Sequence, residues 1–272
     1  MPELTTRGQT LYYEVSGHGE PLVLIHSFLC SLEMWRPQIE LLSQSHRVIA
    51  VDLRGHGKSA ASLPHSLYDL VDDVMAVLDF EGVQTPVWCG LSIGGMIAMR
   101  AALRHPHRVR ALVLLDTDGG SESWRTRIEN RFLSLVARTI GVGPIVPRVL
   151  EKMFCQKTIE ESDELIEYWS QYFVGFHVPS AVKTLDALNG RDDVLSLLKK
   201  VDRPTLVIHG EYDRALPPAC GERLATAIPG SQYEVIADAG HLATLEAPET
   251  VGPHIARFLR QLSTEPPSMI EL

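Results

Sequence analysis

Short apolar runs alternate with longer amphipathic segments along most of this 272-residue chain. The runs are rich in Val, Ile and Leu without regular polar positions, which is typical of strands buried on both faces. We therefore predict strands at 21–26, 47–52, 86–89, 110–116, 204–209 and 232–236. Residues 10–15 alternate more clearly, and we expect them to form an edge hairpin with the residues before them.

Helical periodicity appears between these runs, at 35–43, 68–80, 94–105, 218–227 and 248–262. Buried strands separated by helices indicate an α/β fold, with a mostly parallel sheet covered by helices on both faces. The last ten residues, 263–272, include Pro266 and Pro267, and we expect a loose end there.

The alternation stops between 119 and 196, where helical patterns are present without a strand pattern. Apolar residues spaced between 128 and 140 predict one helix, and the sequence from Thr158 to Glu161 predicts a capping box that starts another. Helices inserted between parallel strands lie at the carboxyl ends of those strands, where ligands bind. We therefore interpret 119–196 as a lid, and 1–118 with 197–272 as the core.

The composition is ordinary for a globular protein, with 45% hydrophobic and 22% charged residues. A net charge of −9 argues against nucleic acid and anionic membranes as partners. No apolar stretch reaches membrane-spanning length, and residues 1–9 lack the apolar segment of a signal peptide, so we expect a cytoplasmic protein. Composition leaves homo-oligomerisation open.

The four cysteines lie far apart, without the Cys-x-x-Cys spacing of zinc or redox sites. We expect reduced thiols and no metal. Cys89 lies in an apolar run, which is typical of a small buried strand residue. The sequence contains no nucleotide-binding glycine motif, so we expect no cofactor.

The pentapeptide Gly-Leu-Ser-Ile-Gly at 90–94 joins a predicted strand to a predicted helix. A serine on such a turn projects its hydroxyl above the sheet, and the glycines let the chain bend and pack closely. In isolation the motif is weak evidence, because a chain of this length matches it by chance on the order of one time in ten. Ser92 becomes a candidate nucleophile only if the chain supplies a base and a carboxylate to orient it.

Candidates for these partners follow later strands. Asp213 and His241 each come just after a predicted strand. Because the carboxyl ends of parallel strands meet at one edge of a sheet, we expect both side chains near Ser92. Asp116 and Asp118 follow another predicted strand and are alternative carboxylates.

Other polar residues near these motifs have structural explanations. We expect His26 to anchor its loop by hydrogen bonds, and His56 and Ser59 to belong to a glycine-rich turn. We interpret His209 as a packed core imidazole and Asp238 as a turn former.

Together the motifs resemble those of the α/β-hydrolase fold superfamily, in its serine-nucleophile branch, over 10–118 and 197–262. The matching segments are 26–28, 52–59, 90–94, 210–213 and 239–241. The order serine, aspartate, histidine along the chain matches as well. This resemblance implies that Ser92 is the nucleophile, His241 the general base and acid, and Asp213 the group that orients His241.

Two backbone amides stabilise the anionic oxygen of the intermediate in such enzymes. The resemblance implies the amides of Ile93, at the start of its helix, and Phe28, in the loop after the strand at 21–26. Most members carry glycine where this chain has Ser27, so a positive φ there would cost conformational energy. Ser27 and the apolar loop leading to Trp35 resemble the β-ketoadipate enol-lactone hydrolase branch.

The resemblance implies a cofactor-independent hydrolase that cleaves small-molecule carboxylic esters or lactones, as carboxylesterases do, through an acyl-enzyme on Ser92. Carbon–carbon bond hydrolases, perhydrolases and acyl-homoserine lactonases share the same residues and remain open, as does a ligand receptor that retains them. Substrate contacts are expected from Ser27, Trp124, Phe132, Phe154, Trp169 and Phe173, with Met153 and His177 as further candidates. Packing between lid helices is the alternative for each of these lid residues.

Overall fold

The computed structural model describes residues 2–61 and 63–264 of the chain. The strands of the described residues are β1 (Glu3–Thr6), β2 (Gln9–Ser16), β3 (Glu20–Ile25), β4 (His46–Val51), β5 (Val87–Leu91), β6 (Ala111–Leu115), β7 (Thr205–Gly210) and β8 (Gln232–Ile236). They form one sheet in the order β1-β2-β4-β3-β5-β6-β7-β8.

Most strand pairs in this sheet are parallel. β2 pairs antiparallel with β1 and with β4, whereas every other neighbouring pair is parallel. The predicted mostly parallel sheet is confirmed, and so is the N-terminal hairpin. Its turn passes through Arg7 and Gly8, which have positive φ values of 48° and 74°, as tight hairpin turns require.

The central strands are buried on both faces. On β3, Leu22 and Leu24 join one hydrophobic core, whereas Val23 and Ile25 join the other. Every residue of β5 and β6 is buried. This two-sided burial explains why the sequence of each strand is an uninterrupted apolar run.

Helices cover both faces of the sheet. In chain order they are α1 (Arg36–Leu42), α2 (Leu67–Phe80), α3 (Ile93–Arg104), α4 (Trp124–Ile140), α5 (Val146–Met153), α6 (Gln156–Glu161), α7 (Asp163–Val174), α8 (Val178–Asn189), α9 (Ala219–Ala227), α10 (Ala243–Glu246) and α11 (Pro248–Thr264). α1 and α11 pack into the core that contains Leu22, and α2 and α3 into the core that contains Val23. The five helices predicted outside 119–196 all form, within two residues of the expected bounds.

Helices α4 to α8 lie between β6 and β7, and we call this segment the helical insertion (119–196). The helix predicted between 128 and 140 forms as α4. The predicted capping box is wrong, because Thr158 lies inside α6, whose N-cap is Cys155. The helix that carries Trp169 begins at Asp163, after Ser162 breaks the helical path with ψ 58°.

The C-terminal helix α11 continues to Thr264, two residues beyond its predicted end. The loose end expected at 263–272 therefore begins as helix, and its residues 265–272 lie outside the described part of the chain. Among the described helices, none combines the length and apolar character that crossing a membrane requires.

Candidate active site

Ser92 joins β5 to α3 with φ 55° and ψ −116°, in a backbone region that non-glycine residues rarely adopt. Residues at the end of β6 and just after it hold this turn in place. The Ser92 amide donates to the Leu115 carbonyl at 2.9 Å, and the Thr117 hydroxyl donates to the Ser92 carbonyl at 2.6 Å. The residue is 8% exposed. A strained backbone that its surroundings maintain is typical of a functional position.

Close packing requires both glycines of the pentapeptide. A Cβ on Gly90 would overlap the Gly94 carbonyl, and a Cβ on Gly94 would overlap the carbonyl oxygen of Ile25 at the end of β3. Both overlaps are with backbone, which cannot swing aside as a side chain can. The glycines therefore let α3 approach β3 and β5, so that Ser92 lies at the carboxyl edge of the sheet.

Asp213 follows β7 and His241 follows β8, and their side chains meet. His241 Nδ1 lies 2.8 Å from Asp213 Oδ2. The other carboxylate oxygen, Oδ1, accepts the amides of Ala215 at 2.8 Å and Leu216 at 2.9 Å. Because an ionised carboxylate only accepts hydrogen bonds, Nδ1 carries the proton and Nε2 retains its lone pair. His241 and Ser92 line the same cavity.

His241 and Asp213 each favour the charged form of the other. Burial acts to lower the pKa of His241, but the charge and hydrogen bond of Asp213 outweigh burial and raise that pKa above 6.5. Burial acts to raise the pKa of Asp213, but His241 and His209 hold it below its ordinary value. Asp213 is therefore ionised at neutral pH.

The alternative carboxylates have other partners. Asp116 Oδ1 accepts the Gly210 amide at 2.7 Å, and burial raises the pKa of this carboxyl to about 7. Asp118 lies 3.3 Å from the guanidinium of Arg223. The geometry therefore places neither of them in the orienting contact with His241.

His209 is fully buried, as expected of a core imidazole, but it also contacts Asp213 at the carboxyl edge of the sheet. Its Nε2 lies 2.8 Å from the Leu216 carbonyl and 3.3 Å from Asp213 Oδ2. A cluster forms here, in which one polar atom from each residue lies within 4.8 Å of the other two; its members are His209, Asp116 and Asp213. We interpret the contact between His209 and Asp213 as a structural one, because both oxygens of Asp213 already have donors from the protein.

The loop after β3 is a tight turn, in which the Cys30 amide donates to the Ser27 carbonyl at 3.2 Å. Leu29 takes the positive φ, at 60°, so the conformational cost expected at Ser27 does not arise. Phe28 lies at the second position of the turn, whose closing hydrogen bond does not use its amide. Ile93 is the first residue of α3, and the first amides of a helix have no carbonyl partner within it.

The structural interpretations of His26 and Asp238 are confirmed. The Leu53 amide donates to His26 Nε2 at 2.9 Å, so His26 Nδ1 carries the proton and donates to the Ser27 carbonyl at 2.6 Å. Burial lowers the pKa of His26 to about 4, and the ring is neutral. Asp238 has φ 56° in its turn and pairs with Lys157 at the surface.

Ser92, His241, Ser27 and Phe28 all line a cavity of about 210 Å³ between the sheet edge and the helical insertion. Most of its other lining residues are apolar, and they come from α3, α4, α5, α7 and α8 as well as from the loops. The structure therefore brings a serine and a histidine that is hydrogen-bonded to a carboxylate onto one apolar pocket.

A model of the alpha/beta hydrolase family matches residues 22–252. The chain belongs to the alpha/beta hydrolase family. This membership confirms the resemblance drawn from the motifs and the predicted fold class.

Among curated relatives, this alpha/beta hydrolase is 27% identical over 266 residues to 3-oxoadipate enol-lactonase 2 of Acinetobacter baylyi, covering 96% of this chain and 97% of the relative. A thermophilic esterase from Thermogutta terrifontis has the same fold with a TM-score of 0.91 and 32% identity, over 97% of this chain and 100% of that one. The enol-lactonase from Burkholderia xenovorans LB400 gives a TM-score of 0.89 and 29% identity, over 95% and 100%.

The cavity of this alpha/beta hydrolase takes in only some of the predicted substrate contacts. Ser27 and Phe173 line it, as does Met153. Phe154 and Trp169 are buried in the hydrophobic core and are not among its lining residues. His177 lies instead on a second groove and contacts the Ser180 hydroxyl at 2.9 Å.

Helix α4 of the alpha/beta hydrolase presents a different side to the cavity from the one that the sequence predicts. Trp124 and Phe132 are 67% and 64% exposed and do not line the cavity. Asn130, Leu133 and Ser134, on the other side of the helix, line it instead. An apolar stripe identifies a helix, but its neighbours in the fold decide which side meets the cavity, so we remove Trp124 and Phe132 from the candidate site.

Proposed function

We propose that this hydrolase cleaves carboxylic esters or lactones through an acyl-enzyme on Ser92. The observation that carries the proposal is the placement of a strained serine and a carboxylate-oriented histidine on one apolar cavity. The esterase and enol-lactonase among its relatives support the same reaction class. We further propose that the helical insertion (119–196) is a lid whose inner side selects the substrate.

In the proposed mechanism His241 Nε2 takes the proton of Ser92 Oγ as this oxygen bonds to the substrate carbonyl carbon. The amides of Phe28 and Ile93 donate to the carbonyl oxygen as it becomes negative. The tetrahedral intermediate collapses, and the alkoxide leaves with the proton that His241 held. A water molecule then gives a proton to His241 and attacks the acyl carbon. The bond between this carbon and Ser92 Oγ breaks, His241 returns the proton to Oγ, and the acid leaves.

The experiment that tests this proposal is a hydrolysis panel from short-chain 4-nitrophenyl esters to γ-lactones and enol-lactones. We expect repeated turnover on members of the panel and covalent labelling of Ser92 by a serine-directed phosphonate. A single slow turnover that stops at labelled Ser92 would instead indicate a receptor that retains the catalytic residues.

The pH dependence follows from the pKa of His241. The imidazole must be neutral to take a proton, and Asp213 holds its pKa above 6.5. We therefore expect kcat/KM to fall as the pH drops through a midpoint above 6.5. The measurement is a kcat/KM profile with a 4-nitrophenyl ester, followed at a wavelength where nitrophenol and nitrophenolate absorb equally. A midpoint below 6.5 would contradict the pairing of His241 with Asp213.

We propose that Ser27 is a third donor to the substrate carbonyl oxygen. Its hydroxyl is buried without a hydrogen-bond partner among the described residues, and the residue lines the cavity. Ser27→Ala is therefore expected to leave the melting temperature unchanged or raised, since no hydrogen bond is lost, and to lower kcat about tenfold to a hundredfold.

Ser31→Ala is the matched control for this prediction. Ser31 is buried in the same loop, but its hydroxyl accepts the Glu33 amide at 3.4 Å and it lies on the second groove, outside the catalytic cavity. We expect it to affect stability more than kcat. Unchanged kcat and KM in Ser27→Ala would show that the hydroxyl does not contact the substrate.

A further inference from the structure

The wall of the cavity carries a buried ion pair. Arg191 Nη1 lies 2.5 Å from Glu122 Oε2, and the two side chains are 3% and 16% exposed. The guanidinium also donates from Nε to the Gly120 carbonyl at 2.9 Å and from Nη1 to the Leu188 carbonyl at 3.2 Å. Arg191 and Glu122 both line the cavity. The positive charge of Arg191 is therefore neutralised inside the protein before a substrate arrives.

The other basic side chains that line the cavity are also paired with carboxylates. Lys152 Nζ lies 2.9 Å from Glu129 Oε1, at a more exposed position. His241 is held by Asp213. The remaining polar lining residues of the described chain are uncharged, namely Ser27, Ser92, Thr126, Asn130 and Ser134. Within the described residues, every basic side chain on the cavity wall has a carboxylate partner.

These contacts determine which acyl groups the cavity can bury. An apolar chain gains free energy when it leaves water for this apolar wall. A carboxylate on the same acyl chain would lose its hydration, and Arg191 could not neutralise it because Arg191 is already paired with Glu122. It would either remain unpaired or place two negative charges on one guanidinium. Both arrangements oppose binding.

We propose that the cavity selects uncharged apolar acyl groups and rejects acyl groups that bear a free carboxylate, because Glu122 already neutralises Arg191. The inference rests on the proposed ester or lactone hydrolysis and names its substrate class. The lactone of 3-oxoadipate, named for the relative from Acinetobacter baylyi, retains one free carboxylate after its ring closes. It belongs to the rejected class for this chain.

The test compares two esters of equal acyl length, 4-nitrophenyl hexanoate and mono-4-nitrophenyl adipate. They share the leaving group and differ at the far end of the acyl chain, where a carboxylate replaces a methyl group. After correction for their rates of alkaline hydrolysis, we expect kcat/KM for the hexanoate to exceed that for the adipate by about a hundredfold or more.

Glu122→Gln tests the assigned cause. The variant keeps the size of the side chain but removes its charge, so Arg191 becomes free to pair with the substrate carboxylate. We expect the adipate-to-hexanoate ratio of kcat/KM to rise about tenfold or more. Glu129→Gln is the matched control, because it releases Lys152 at a solvent-screened position and should change the ratio far less.

The outcomes separate this inference from the proposed function. Hydrolysis of the adipate ester as fast as the hexanoate ester by the parent enzyme would overturn the inference and leave the ester hydrolase proposal intact. Equal shifts in the two variants would overturn the assignment to Arg191 and Glu122. Turnover of neither these esters nor the lactones would overturn both proposals. The parent comparison needs no variant, so it decides the question even if Glu122→Gln fails to fold.

Discussion

Replacing Ser92 with alanine is expected to lower kcat for a 4-nitrophenyl ester by a factor on the order of 10⁴ to 10⁶. The substitution removes Oγ, the only protein atom that bonds to the substrate in the proposed mechanism, and His241 then has no serine proton to take. The measurement is steady-state release of nitrophenolate, together with labelling by a serine-directed phosphonate. The melting temperature should be retained, because the Ser92 contacts that hold the turn come from its backbone.

Cys89→Ala is the control for this experiment. Cys89 lies in β5 close to Ser92, but it is fully buried, and burial raises the pKa of its thiol far above neutrality. We expect this variant to retain both turnover and labelling. Activity near the parental level in Ser92→Ala would contradict the nucleophile assignment and with it the acyl-enzyme mechanism.

The second large effect is expected for Asp213→Asn, which should lower kcat by a factor of about 10⁴. The carboxylate accepts the Nδ1 proton of His241, whereas an amide can present its NH₂ group there and favour the other tautomer. The proton would then lie on Nε2, the atom that must accept from Ser92. The measurement is kcat for the same ester, with the melting temperature to confirm folding.

Asp116→Asn is the matched control, since it makes the same change at a buried carboxylate on the same edge of the sheet. The amide oxygen of asparagine can still accept the Gly210 amide that Asp116 binds. We expect kcat to stay within about tenfold of the parent. If Asp116→Asn were the inactive variant and Asp213→Asn the active one, the orienting acid would be Asp116.

Burial on both faces of the sheet explains why the core elements could be predicted from the sequence. A strand such as β5 must be apolar at every position, and its run in the sequence is visible without knowing its neighbours. The pentapeptide around Ser92 is equally local, because Gly90 and Gly94 are needed where strand and helix meet. Local patterns therefore predicted the strands, the core helices and the turn of the candidate nucleophile.

The inserted helices were predicted less well, for a physical reason. The apolar side of α4 that contains Trp124 and Phe132 is exposed, whereas polar Asn130 and Ser134 face the cavity. Periodicity describes one helix, but packing against α8 decides its rotation. The predicted start at Thr158 failed similarly, because Cys155 caps a separate short helix there.

By itself, the sequence determined the α/β fold and the candidate serine, since both depend on burial patterns and turn chemistry within a few residues. It also limited the candidates for the acid that orients His241 to carboxylates that directly follow strands. Only the tertiary structure placed Asp213, and not Asp116, against His241. The pairing of Glu122 with Arg191 across 69 residues was likewise decided there. Such contacts depend on how segments far apart in the sequence pack together, and no local pattern of side chains determines that packing.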